Sequence, residues 1–135
     1  MIPDLQSSIL CDDVRQERNG KFILIGLFDS LGVPAFPAVF QRLCIVNRWC
    51  CGEGTFTQRS RITGPDGHAL VDGRPVKVVL PNPEATATSV EFFVNVRFES
   101  EGTYWIEILI EDDLRVRYPL RARVIKRPAK PPKTG

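Results

Sequence analysis

The sequence predicts an all-β protein, an antiparallel sandwich of about seven to nine strands with little helix. The first reason is a strict alternation in the C-terminal third. From Val90 the even positions read Val90, Phe92, Val94, Val96 and Phe98, and after Glu101-Gly102 they resume as Tyr104, Ile106, Ile108 and Ile110. Beyond Asp112-Asp113 they continue as Leu114, Val116, Tyr118, Leu120, Ala122 and Val124. A period of two fits a strand with one buried face. The second reason is the frequency of turn signals along the rest of the chain, and the third is that no long stretch repeats at the helical period.

Taken in order, Leu5 to Gln16 is a loosely patterned first strand. Asn19-Gly20 suits a type I′ hairpin turn, which needs positive φ angles. Phe22 to Phe28 is apolar on both faces and predicts a central strand covered on each side. Pro34 and Pro37 break the chain before a strand over Val39 to Cys50. Gly52-Glu53-Gly54 turns it into Thr55 to Thr63, and Pro65-Asp66-Gly67 turns it again. Val76 to Leu80 is a short strand ahead of Pro81-Asn82-Pro83. Val90 to Phe98, Tyr104 to Ile110 and Leu114 to Val124 complete eight strands.

The length of 135 residues fits one domain, large enough to bury roughly two thirds of its unfolded surface. The expected division is a sandwich over 1–125 and a flexible, basic, proline-rich tail over 126–135. That tail holds four of the 18 basic residues and no acid, which leaves 14 basic against 16 acidic in the body. A nearly neutral body lacks the positive field of a general nucleic-acid binder. The N-terminal residues do not resemble a signal peptide and Phe22 to Phe28 is too short to cross a bilayer, so a cytoplasmic location without membrane insertion is expected.

Two resemblances are carried by particular residues. Glu101-Gly102-Thr103-Tyr104-Trp105-Ile106-Glu107-Ile108 resembles the "G-x-Y-x-hydrophobic-x-hydrophobic" entry into a late strand of immunoglobulin-like sandwiches. It implies a Gly at the corner and a buried Tyr whose hydroxyl bonds to backbone. Cys11-Asp12-Asp13-Val14, then Asn19-Gly20-Lys21 and Leu24-Ile25-Gly26-Leu27-Phe28, resemble a family of short uncharacterised bacterial β-rich proteins. This second resemblance implies fold and a bacterial cytoplasmic origin, and no activity.

The residues that could carry chemistry are few. Cys11, Cys44, Cys50 and Cys51 lack the Cys-x₂₋₄-Cys knuckle of structural zinc sites. Cys50 and Cys51 should point to opposite faces of a strand, and Cys11 and Cys44 read as small core side chains. Neither metal, disulfide nor cofactor is expected. His68 is the single histidine; no nucleophile elbow accompanies it, and no glycine-rich phosphate loop is present. The expectation is a protein that is not an enzyme.

Two surface features remain. Arg115, Arg117, Arg121 and Arg123 share one strand face and could hold an anion. An odd-length connection at Asp112-Asp113 would instead set Glu111 opposite Arg115, or Glu107 opposite Arg117, as cross-strand ion pairs. If Val90 to Phe98 and Tyr104 to Ile110 are antiparallel neighbours, Arg97 lies beside Trp105 and Phe93 beside Leu109. Phe93, Arg97, Trp105 and Leu109 then form an outward aromatic patch of the kind that marks interfaces. The functional expectation is a non-catalytic module that binds protein or forms a homodimer through this patch. The alternative is an anion or nucleic-acid binder using the arginine row and the tail.

Overall fold

The alternating segments fold as strands. A computed structural model, which describes residues 1–126, contains ten: β1 (Asp4–Gln16), β2 (Phe22–Phe28), β3 (Ser30–Val33), β4 (Ala38–Cys50), β5 (Gly54–Thr63), β6 (Ala69–Asp72), β7 (Val76–Leu80), β8 (Thr86–Phe98), β9 (Gly102–Ile110) and β10 (Asp113–Val124). The expected tail lies outside the described residues, apart from Lys126. One sheet has the order β2-β1-β4-β8; the other has β3-β10-β9-β5-β6, with β7 also paired to β5. The count exceeds the expected seven to nine because β3 and β6, four residues each, are too short to show a period. All pairs are antiparallel except β3 with β10, which run parallel.

The faces that meet carry the core. Leu43, Ile45 and Trp49 of β4 share one core with Ile106, Ile108 and Ile110 of β9, together with Ile62, Leu80, Phe98 and Leu120. Tyr104 is buried at the corner where β8 crosses to β9, and its hydroxyl donates to the Ser100 carbonyl at 2.7 Å. Phe98 meets the Tyr104 ring edge-on, with centroids 4.8 Å apart. Gly102 has φ +152, and a Cβ there would press on Pro65. The corner resemblance is thus realised in its glycine, its ring and its hydroxyl.

That corner also overturns an expectation. β8 and β9 are not neighbours: Glu99 to Glu101 carries the chain from one sheet to the other, where β10 and β5 flank β9. β8 pairs with β4 instead. The alternation of β8 also breaks at Asn95, whose φ of +53 shifts the phase of the strand. Val96 and Phe98 face the core, but Phe92 and Val94 face solvent, and Glu91 and Phe93 turn inward in their place.

Two turns differ from expectation in an instructive way. At Asn19-Gly20 the residue in the left-handed region is Gly20 and not Asn19. Gly20 N–H donates to Glu17 O, and Glu17 N–H to Lys21 O, so three residues close the hairpin in place of a two-residue type I′ turn. The I′ geometry is found at Glu111-Asp112, with φ +50 and +63. Glu111 tolerates it because its N–H donates to the Thr57 carbonyl and its carboxylate accepts from the Thr57 N–H. That even-length turn is corrected by a bulge between Leu114 and Val116, which keeps both apolar faces inward.

Candidate functional site

β2 was expected at the centre of a sheet and lies at its edge, with one side unpaired. Its apolar residues are therefore left on the surface: Phe22, Ile23, Ile25 and Leu27 are 41–62% exposed. Gly26 stands opposite Asp12 with φ +69, and any Cβ would run into the Asp12 carboxylate. Beyond this point the hairpin leans over the outer face of its own sheet. Val14 and Leu24 pack there against Cys11, Cys44 and Val46, forming a second small core. The hairpin tip at Asn19 to Phe22 and the strand residues Ser7, Ile9 and Arg48 line one open groove of about 530 Å³.

A polar network lies between the sheets. Trp49 Nε1 donates to Gln58 Oε1 at 2.6 Å, and Ser89 Oγ donates to the same oxygen at 2.8 Å. Gln58 Nε2 and Ser60 Oγ both donate to Glu91 Oε1, at 2.8 and 2.5 Å. Asn47 Nδ2 donates to Ser60 Oγ, while Asn47 Oδ1 has no partner among the described residues. Burial raises the Glu91 pKa, an effect its two hydrogen bonds only partly offset. The alternation from Val90 to Phe98 hides this site, because it places the odd positions of β8 in solvent. The available signal was Asn95, a residue type that tolerates left-handed φ in a run otherwise rich in β-branched and aromatic residues.

The residues expected to form the aromatic patch are dispersed. Phe93 faces the main core from β8, and Arg97 is exposed with its Nε 2.6 Å from Glu99 Oε1. Trp105 and Leu109 lie on the outer face of the other sheet, with Leu109 buried between Arg59 and Leu114. The cation over Trp105 is Arg117, 3.9 Å from the ring centre, and not Arg97. Arg117 sits opposite Glu107, the second of the two expected registers. Glu107 is buried between Arg61 Nε at 2.9 Å and Arg117 Nε at 3.6 Å. Arg115 occupies the bulge, while Arg121 and Arg123 are exposed along the β3 side.

The thiols divide into two pairs. Cys11 and Cys44 are cross-strand neighbours in the small core, where burial pushes Cys44 up to about 12 and also raises Cys11. The expected opposition of Cys50 and Cys51 supposes that both lie in one strand, and β4 ends at Cys50. Cys51 has φ +60, just past the end of the strand, and its neighbouring thiol raises the Cys50 pKa. His68 follows its turn, almost wholly exposed, with Nδ1 3.1 Å from Asp66 Oδ2. No helix among the described residues is long and apolar enough to cross a membrane.

Among solved structures, a Pseudomonas aeruginosa immunoglobulin-like protein is similar at 14% identity and a TM-score of 0.35, over 91% of this chain and 98% of that one. The Pseudomonas fluorescens alkylpurine DNA glycosylase AlkC, bound to DNA containing an abasic site analog, is similar at 8% identity and a TM-score of 0.45. That likeness covers 70% of this chain and only 28% of the glycosylase. No curated protein matches the sequence. A family model, described as a family of unknown function (DUF6941), matches residues 6–123, nearly the whole described sandwich, and the chain belongs to that family.

Proposed function

We propose that this protein is a non-catalytic cytoplasmic module that associates with a second copy of itself, edge to edge, through β2. The observation that carries this reading is the unprotected edge. Natural edge strands are blunted by charges, proline or short length. β2 runs seven residues, Phe22 to Phe28, without a charge or a proline, and four of its apolar side chains are exposed. Antiparallel pairing of two β2 strands about a two-fold axis would satisfy the free backbone groups and cover those side chains. A strand from another protein could use the same edge.

The remaining features support a binding role over a catalytic one. His68 is held by Asp66 on an exposed turn. The anion-binding alternative has less support, because Arg117 is committed to Glu107 and Trp105. Sedimentation of wild type and Ile25→Lys at micromolar concentration tests the proposal. Wild type should sediment as a dimer and the variant as a monomer, since a charge on the edge costs pairing without removing a core contact. A wild type that stays monomeric sinks self-association and leaves a heterologous strand as the occupant to seek.

A further inference from the structure

Two glutamates are buried among the described residues, and they are treated differently. Glu107 has two guanidinium partners. Glu91, only 9% exposed, is bonded by the neutral donors of Gln58 and Ser60, and both reach the same oxygen, Oε1. A buried carboxylate without a counter-charge is costly to ionise. Its second oxygen, Oε2, lies on the side of Gly73, where an added Cβ would stand 3.2 Å away. Glu91 and Gly73 line one cleft of about 320 Å³ together with Val71, Asp72, Arg74 and the two rings Phe92 and Phe93.

We propose that this cleft binds an organic cation bearing N–H donors, a primary ammonium or a guanidinium, at Glu91 Oε2. The cation would supply the counter-charge that the fold omits, in a charge-assisted hydrogen bond. Val71 and Phe93 suit an alkyl stem, while the Phe92 ring already carries the Arg42 guanidinium, 5.1 Å from its centre. Asp72 adds a second negative charge at the rim against the single positive charge of Arg74, so the lining favours cations. A bare metal ion fits less well, because no group of three His, Cys, Asp or Glu ligands exists among the described residues. The cleft lies beside β8, at the opposite edge of the sheet from β2. Success or failure here is therefore independent of the edge-pairing proposal.

Amide and carboxyl NMR of the full chain in phosphate buffer, titrated with butylammonium, butylguanidinium and neutral butanol, tests it. Both cations should shift Gly73 and Glu91 saturably, and butanol should not. Glu91→Gln keeps an acceptor for Gln58 and Ser60, and should weaken cation binding by at least about tenfold while the rest of the spectrum is retained. In wild type, saturating cation should lower the midpoint at which the Glu91 carboxyl titrates, a readout that needs no variant. Binding should fade as acid protonates Glu91, with Asp72 and Arg74 the other charged groups lining the cleft. A lysine-containing peptide compared with butylammonium separates a protein side chain from a free amine as the source. The absence of saturable shifts up to about 50 mM of either cation, or equal binding by Glu91→Gln, would overturn the proposal.

Discussion

Tyr104 shows how one hydroxyl can hold a crossing. Its oxygen donates to the Ser100 carbonyl and receives the Ser100 N–H, at 2.7 and 3.4 Å, where the chain leaves one sheet for the other. Tyr104→Phe should keep the ring packing and cost about 1–2 kcal/mol in denaturant unfolding, the scale of a lost buried hydrogen bond. Glu91 makes the opposite kind of contribution. Its pKa in the folded chain is raised above the ordinary 4.5, so folding favours its neutral form. Stability from this group is intact below 4.5 and declines as pH rises from there towards the raised value. Glu91→Gln should therefore melt higher than wild type at neutral pH, with the difference vanishing in acid. A variant that melts lower at neutral pH would show that the carboxylate is stabilising as it stands.

Elements in this fold are bent at residues that accept positive φ. Asn95 shifts the phase of β8, and Gly26 marks the bend of β2 opposite Asp12. Asn95→Val should destabilise by about 1–3 kcal/mol, because a β-branched side chain is strained at φ +53. Asn95→Gly should be tolerated, and comparing the two by thermal unfolding separates backbone strain from lost side-chain contacts. Much of this level was legible. The alternation of β9 holds from Tyr104 to Ile110, and the partnership of Glu107 with Arg117 was one of two registers the sequence allowed. The inward turn of Glu91 was not, because a phase shift inside a strand leaves the composition on both sides unchanged.

Over the whole molecule, burial sets which thiols can react. Cys11 and Cys44 are fully enclosed by the folded hairpin, whereas Cys51 is exposed and Cys50 partly so. A thiol reagent should modify Cys51 fastest and leave Cys11 and Cys44 untouched until the chain unfolds, when all four titrate. A native count of four would mean that the hairpin opens readily from the sheet it covers.

Which segments become strands is written in the chain, since alternation and turn chemistry are local and a strand with one apolar face has few other stable fates. The corner at Tyr104 belongs to the same class, being written in consecutive residues. Strand neighbours were decided only by tertiary structure. Phe22 to Phe28 would read identically at the centre of a sheet or at its edge, and the alternation of Val90 to Phe98 reads the same whichever strand it pairs with. Pairing depends on contacts between residues far apart in the chain, which no local pattern encodes. For that reason the aromatic patch expected across β8 and β9 is absent, and exposed apolar side chains lie instead along β2 and at Phe92 and Val94 of β8.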